Sequence, residues 1–543
     1  MLHFLRSINS KARKIESSGP KEVPPPHDFK EISSNLADNE ADLRQEFTNI
    51  SDIVFKQFYA GGVKILAVWF DGLINNRVSQ DVFRALMLDI PEKQLLEIAK
   101  EERTGLINQH ILPFYETQEV KDLAEIKRWI LRSKMILLVD GCSSGLMIDA
   151  ESRPQRSISE PVVEPTVLGP HDGFIENIGV NTALIRSRLG DAMLQSEDYI
   201  IGRRTNTQVT LMYVADIANP KIIEEVRKRL TRIDIDGILD SSYIKELIQD
   251  RTLTVFPLMK STERPDAAAA DLLEGRFALV VDGSPQVLTA PSVFIEFMQA
   301  TDDYYMSPTV VWFIRVLRYL SIFVATNLPG IYVGLITFHQ EMIPIPLVFT
   351  IAGTREVVPF PAIVDALFLL IVFEILWESS IRLPRVVGAA INIVGALILG
   401  EAAVQSSLVS PTLVIVIAVS AVANFALGSR YDLAQAVRVI RLAILIAGGM
   451  MGFYGIALVS LFFLLHMANL RSFGVPYFEP LAPLIAKELK DSVYRAPLWS
   501  FKKRPVLIVG KDITRVDTPP PSPPDERCTA GADSKRRLQK GGK

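Results

Sequence analysis

The chain has 543 residues, of which 49% are apolar and 22% charged, with a net charge of -3 and a mean hydropathy of +0.24. A near balance of 58 Lys and Arg against 61 Asp and Glu gives no footing for nucleic-acid binding. Two cysteines far apart, Cys142 and Cys528, form neither a disulfide framework nor a metal pattern, and six scattered histidines complete no nucleophile, base or metal constellation. An enzyme and a cofactor are therefore not expected.

Residues 1–40 carry Arg6, Lys11, Arg13, Lys14 and Lys21 ahead of Pro24, Pro25 and Pro26, which reads as a basic flexible tail. No apolar stretch of about 7 to 15 residues follows those charges, so a cleaved signal peptide is not expected. Residues 41–305 read as a soluble α/β or α+β head in two subdomains, retained in the cytoplasm. Three of its apolar, β-rich runs (65–72, 135–141 and 277–283) end in Asp-Gly, at Asp71-Gly72, Asp140-Gly141 and Asp282-Gly283. Glycine tolerates positive φ and aspartate bonds nearby backbone, so these mark strand ends rather than catalytic aspartates. A further strand is expected over 208–214 and a helix over 220–230. Residues 156–189 read as a Pro-punctuated loop leading into an amphipathic helix with a basic end. No phosphate-binding glycine loop is present.

Residues 306–470 read as membrane. Apolar runs fall near 320–338, 362–380, 386–409, 411–428 and 442–467, several near the ~20 residues that cross a bilayer. The first is interrupted at Asn327-Leu328-Pro329-Gly330, with Arg315 and Arg318 ahead of it as cytoplasmic anchors. A short segment, 342–353, suits a re-entrant piece. Five crossings place Arg382, Arg385, Arg430, Arg438 and Arg441 inside but the basic C-terminal tail outside; six do the reverse. Residues 471–510 form a membrane-proximal segment. Residues 511–543, Pro-rich and basic, cannot bury a core and read as disordered.

Charges within a bilayer cost at least ~2.5–3.5 kcal/mol each, so polar residues in the spans are the candidates for function. Asp365, Glu374 and Glu378 share one helix, with Glu374 and Glu378 four apart on one face. Rings of such carboxylates in an oligomer would draw cations to a pore, although pairing with Arg382 and Arg385 is the simpler alternative. Glu401 and Gln405 repeat the spacing, and Asn392 serves as interhelical glue or a pore position. Gly448 and Gly452 form G-x-x-x-G, expected to support packed, oligomeric helices.

A resemblance is carried by Arg156, Glu160 and Pro161; by Gly169, Pro170, Gly173, Phe174 and Glu176; and by Asn181, Arg186 and Arg188. It continues through Arg355, Glu356, Pro359 and Pro361, through Arg382 and Pro384, and ends at Gly474, Pro476 and Tyr477. These phrases, spread over about residues 51–483, resemble the A subunit of GerA-type nutrient germinant receptors of endospore-forming bacteria. Asp365 stands where that family would suggest a glutamate, and Trp377 where an arginine is usual. The resemblance implies a multi-pass protein of the inner spore membrane with its head in the spore core. It further implies a transporter-like B subunit and a lipoprotein C subunit as partners, and a homo-oligomer, with a pentamer as its expected form, around a nutrient-gated cation pore. An accessory spore-membrane channel of the type encoded with the SpoVA proteins, or a non-conducting scaffold, fits the same phrases.

Overall fold

The structure, a computed structural model, describes residues 31–74, 76–88, 90, 95–108, 116–150, 161, 164–382, 401–426 and 431–521. The chain divides into two compact units, one of residues 1–157 with 179–197, the other of 158–178 with 198–543.

The first unit contains α1 (Leu36–Glu46), β1 (Ile53–Ala60), β2 (Val63–Phe70), α2 (Asn76–Leu88), β3 (Thr117–Val120), α3 (Leu123–Leu131), β4 (Met135–Val139) and β5 (Gly145–Ile148). The strands form one antiparallel sheet in the order β1-β2-β4-β5-β3. Successive residues of β2 and β4 point into two different cores. Ile65, Ala67 and Leu137 join Val82 and Leu86 of α2, while Leu66, Val68, Ile136 and Leu138 join Leu43 of α1 and Ile126 of α3. Both faces of the sheet are covered, and this is why these strands read as unbroken apolar runs rather than as an alternation.

α4 (Ile178–Arg188) carries the only fully buried arginine of the first unit's core among the described residues, Arg186. It forks onto Asp52, Nε to Oδ2 at 2.5 Å and Nη2 to Oδ1 at 2.8 Å, and its guanidinium lies 4.3 Å from the centre of the Phe70 ring. Ser196 donates to the same carboxylate at 2.7 Å. Arg186 is thus a structural pin.

The second unit contains β6 (Leu194–Ile201), β7 (Thr207–Val214), α5 (Pro220–Thr231), α6 (Ser241–Ile248), β8 (Lys260–Thr262), α7 (Pro265–Leu273), β9 (Phe277–Val281) and β10 (Val287–Ala290). Its sheet order, β6-β7-β9-β10-β8, repeats that of the first sheet strand for strand. The Asp-Gly turns repeat as well. Asp140 N–H donates to Lys64 O at 3.0 Å, Gly141 N–H to Ser34 O at 2.9 Å, and Asp140 Oδ1 accepts from Leu36 N–H at 3.4 Å. Asp282 N–H donates to Gln208 O at 3.0 Å, Gly283 N–H to Glu176 O at 2.8 Å, and Asp282 Oδ1 accepts from Ile178 N–H at 3.4 Å. Each aspartate therefore holds the first residue of a helix while its glycine takes a φ above +80°. These aspartates are structural, as the sequence suggests.

This second core is completed from the far end of the chain. Phe473, Val475 and Ile508 pack among Val209, Leu279 and Ile223, and Gly510 N–H donates to Ile217 O at 2.7 Å. Contacts reach Arg515, which meets Glu274 at 2.8 Å, so the chain is held beyond residue 510.

The helical domain comprises α8 (Pro308–Phe338), α9 (Ile345–Arg355), α10 (Ala362–Arg382), α11 (Pro411–Phe425) and α12 (Tyr431–Asn469). Among the described residues two helices, α8 and α12, are long and apolar enough to cross a membrane. α9 has 11 residues and α11 has 15, about 16 and 22 Å of helix. The expected five or six spans thus reduce to two that meet the requirement; most of the expected 386–409 span lies outside the described residues.

Two expectations are corrected, and a third gains a partner within the chain. α8 begins at Pro308 and runs unbroken through Pro329. Arg315 and Arg318 are buried, at 0% and 7% exposure, instead of anchoring at a headgroup surface. The Gly448–Gly452 pair meets a second G-x-x-x-G, Gly330 and Gly334 on α8, within the same chain: a Cβ on Gly448 would lie 2.7 Å from Gly330 O. Gly452 itself, at φ +59°, interrupts α12.

The Asp-Gly turns yield a graded test. A Cβ at Gly283 meets nothing within 4 Å, whereas one at Gly72 lies 2.8 Å from Gly179 O. Gly283→Ala should cost only the left-handed strain of about 1–2 kcal/mol. Gly72→Ala should cost visibly more, read as the larger fall in thermal midpoint of the purified protein.

Candidate functional site

The polar centre of the helical domain starts from a proline. Pro329 has no N–H, so Ala325 O on α8 loses its intrahelical donor. Ser420 of α11 supplies one, its hydroxyl donating to Ala325 O at 2.9 Å. Arg441 Nη1 of α12 lies 3.5 Å from that hydroxyl. Arg441 and Arg438 then close on Glu374 of α10, with Arg438 Nε 2.7 Å from Oε2 and Arg441 Nη2 on Oε1. One continuous polar chain thus ties four helices. Around it pack Trp377 against Phe425, ring centres 4.6 Å apart, and the Phe373 ring 6.0 Å from the Arg441 guanidinium.

The other polar positions are dispersed. Glu378 is exposed and pairs along its own helix with Arg382 at 2.6 Å. Asp365 is buried, at 1% exposure, and accepts from Ser410 N–H at 3.4 Å, next to the hydroxyl that caps α11. Glu401 and Gln405 are exposed. Asn392 and Pro384 lie outside the described residues. The shared face of Glu374 and Glu378 therefore does not act as one unit: the two carboxylates have different partners, and the anticipated pairing of Glu374 within its own helix gives way to two arginines of α12.

The family-signature residues mostly shape backbone. Gly169 sits at φ +109° with the Tyr305 ring 2.6 Å from where a Cβ would stand. Pro170 O accepts from Arg264 Nη2 at 3.2 Å. Gly173, Phe174, Asn181 and Pro161 are buried, Arg188 is half-buried and Glu176 is exposed, its carbonyl held by Gly283. Pro359 and Pro361 precede α10, where Pro361 O accepts from Val364 and Asp365 N–H. Arg355 Nη2 lies 3.5 Å from Phe360 O, and Glu356 is exposed. Gly474 turns at φ +85° between Arg471–Ser472 and Val475–Pro476. Tyr477, fully buried, rests among Phe256, Phe294 and Phe297. Arg156 and Glu160 lie outside the described residues.

Where α8 leaves the second lobe, Arg315 Nε and Arg318 Nη1 both donate to Asp303 Oδ2 at 3.0 Å, and Arg315 also reaches Asp491 Oδ1 at 2.9 Å. Burial alone would raise the Asp303 carboxyl, but the hydrogen bonds and charge of Arg318, with Arg315 beside it, hold it below the usual range. Asp491 shifts the other way, burial outweighing Arg315. Next to this, Phe256, Phe297 and Met298 of the lobe pack with Leu433, Ala436 and Met467 of α12. Among the described residues no group of three or more His, Cys, Asp or Glu could hold a metal ion.

A duplicated antiparallel α/β head, with a helical domain whose two longest helices can cross a membrane, defines a membrane-associated protein built to join the two. Residues 41–507 match the family described as Bacillus/Clostridium GerA spore germination protein, and the chain belongs to that family. It is 40% identical over 488 residues to spore germination protein KA of Bacillus subtilis (strain 168), covering 89% of this chain and 88% of that one. It is 35% identical to spore germination protein GerLA of Bacillus cereus, covering 89% and 98%, and 38% identical to the uncharacterized membrane protein YfkQ of Bacillus subtilis (strain 168), covering 87% and 91%. The crystal structure of the N-terminal domain of the A subunit of the Bacillus megaterium spore germinant receptor GerK3 is 33% identical, covers 49% of this chain and 99% of that one, and superposes with a TM-score of 0.40.

The sequence presented Arg438 and Arg441 only as topology signals and Gly330 only as part of an interruption, and did not point to Ser420, Gly334, Asp303 or Asp491. A proline inside an apolar helix was the available signal for Ser420, since the freed carbonyl requires a donor. The two carboxylates of α10 should now separate experimentally. Glu374→Gln leaves two cations short of a counter-charge and should cost about 3–5 kcal/mol, partly recovered by adding Arg441→Met. Glu378→Gln should cost at most about 0.5 kcal/mol. Thermal unfolding of the detergent-solubilised protein measures both.

Proposed function

We propose that this chain is the A subunit of a nutrient germinant receptor of the inner spore membrane, working with a transporter-like B subunit and a lipoprotein C subunit. In this reading it forms a homo-oligomer around a cation path, with the head in the spore core. The observation that carries the reading is the double anchorage of the helical domain. α8 begins on the Arg315–Asp303–Asp491 cluster, and α12 ends where Ser472 Oγ donates to Leu258 O at 2.7 Å. A displacement of the second lobe is thereby applied to both long helices at once. The relatives named as spore germination proteins support the biological setting.

The anchorage also bears on topology. Both ends of the helical domain return to one lobe, which calls for an even number of crossings and a C-terminal segment on the side of the head. Of the arginines that argued for five, Arg382 pairs with Glu378, and Arg438 and Arg441 share Glu374, while Arg385 and Arg430 lie outside the described residues, so the positive-inside count is weakened. Exposed Phe323, Ile371, Ile375, Phe462 and Leu465 supply an apolar surface for lipid or neighbouring subunits.

Within the proposed oligomer, Glu378 is the preferred position for a cation-attracting ring, because its carboxylate is exposed and, among the described residues, paired with Arg382 of the same helix alone. Glu374 and Asp365 serve packing, and Glu401 remains a secondary ring position. The test is potassium release from dormant spores after nutrient addition. At matched protein levels and with the complex assembled, Glu378→Gln should slow early release several-fold relative to the native chain. Unchanged release would remove Glu378 from the cation path and shift the reading to a signal-relay subunit or scaffold.

A further inference from the structure

Where the long helices meet the second lobe, two apolar side chains project outward. The first is Leu253, on the loop between α6 and β8, at 95% exposure. A single exposed leucine is ordinary on a soluble surface, but this one is held at a fixed height. Asp250 accepts from Arg229 Nη2 at 2.6 Å and from Phe473 N–H, the Thr254 hydroxyl lies 3.1 Å from His466 Nε2, and Phe256 is buried against Phe463. The loop is thus pinned on both sides of Leu253, beside the last turns of α12, where Phe462 and Leu465 are exposed.

The entry to α8 repeats the arrangement. Arg495 Nη1 donates to Met306 O at 2.7 Å and Nη2 to Tyr304 O at 3.2 Å, so its neighbour Tyr494, half-exposed, stands beside that entry. The 31 residues of α8 make about 46 Å of helix, against ~40–45 Å for a bilayer with its headgroups. When α8 crosses, its entry therefore falls in a headgroup layer. Cations gather at the same places: Arg251, Arg471 and Lys490 are exposed and in no ion pair among the described residues. The carboxylates next to two of them are already answered, Asp250 by Arg229 and Asp491 by Arg315.

We propose that Leu253 and Tyr494 enter the headgroup layer of an anionic bilayer, with Arg251, Arg471 and Lys490 on its phosphates, so that the second lobe is seated on the membrane at two points. Apolar and aromatic tips flanked by cations suit that layer, because the tips leave water while the charged heads stay at the phosphates. Lipid is the occupant because both tips continue the exposed apolar surface of the helices, Trp312 on α8 and Phe462 on α12. The seat rests on the reading that these helices cross a bilayer. A lobe held in this way moves along the membrane plane more readily than away from it, which restricts the displacement it can pass to α8 and α12.

Nitroxide labels on Leu253→Cys and Tyr494→Cys test this in the full chain, carrying Cys528→Ser and reconstituted in phosphatidylglycerol nanodiscs; Cys142 is buried and escapes labelling. Depth is read from collisions with oxygen, which favours lipid, and with nickel ethylenediaminediacetate, which favours water. Ile200→Cys, exposed on β6 at the sheet edge opposite β8, is the aqueous control, and Phe462→Cys is the lipid control. The oxygen-to-nickel ratio of the Leu253 and Tyr494 labels should exceed that of the Ile200 label several-fold. It should fall back toward the control in phosphatidylcholine nanodiscs, and also in an Arg251→Gln, Arg471→Gln, Lys490→Gln variant, which alters only exposed side chains. A ratio equal to the aqueous control, shielding from both probes as at a protein contact, or indifference to lipid charge would overturn the proposal. With the Phe462 label in lipid and the Leu253 label in water, only the seat fails; with both in water, the crossing of the bilayer fails as well.

Discussion

Among packed apolar helices, where water cannot repair a missing partner, each freed carbonyl and each buried charge must be answered by another side chain. In this protein that constraint organises the helical domain. Pro329 frees Ala325 O, Ser420 answers it, Arg441 stands behind Ser420, and Glu374 answers Arg441 together with Arg438. The register of four helices follows from that sequence of obligations. Close approach of α8 and α12 is possible only because Gly330 and Gly334 face Gly448 and Gly452; any Cβ there would push the arginines away from their partners.

The same rule shapes the junction with the head. Arg315 and Arg318 are buried at the start of α8, and a single aspartate, Asp303, meets both, with Asp491 supplying the second negative charge from the C-terminal segment. Removing any one of these would strand a charge in a dry site. The junction is therefore stiff, and the hydrophobic packing of Phe256, Phe297 and Tyr477 with α12 makes it stiffer. A stiff joint suits a protein that must carry a movement from an aqueous lobe to helices, which is the role proposed for it.

The head shows a different economy: one arrangement of strands and helices used twice. The equivalence reaches individual hydrogen bonds, since the turns at Asp140-Gly141 and Asp282-Gly283 hold the same neighbours at matching positions. The two lobes nevertheless diverge in completion. Residues 31–148 supply the strands and most of the core of the first, whereas the second borrows Phe473, Val475 and Ile508. The lobe joined to the helices is thus the one that cannot close its core without the chain beyond them.

Local chemistry was legible along the chain. The apolar runs 65–70, 135–139 and 277–281 are strands because both faces of each sheet are covered, and Asp-Gly ends them because only glycine takes the required φ without strain. The signature phrases identified the family for the same reason, each recording a turn or a buried contact that tolerates few residues, as Gly169 and Arg186 do. What a charge does was not legible, because a carboxylate four residues from an arginine and one 64 residues away look alike until the chain is folded. Glu374 was read beside Glu378 and Arg382, yet it belongs to Arg438 and Arg441. Likewise, a small-residue motif states that something approaches closely but not what, and here it is another helix of the same chain. The sequence by itself determined the strands, the turns, the apolar helices and the kinship, all set by interactions within a few residues. Tertiary structure alone decided the partners of Arg315 and Glu374, because electrostatic pairing depends on distance in space and on the exclusion of water, neither of which is written in local order.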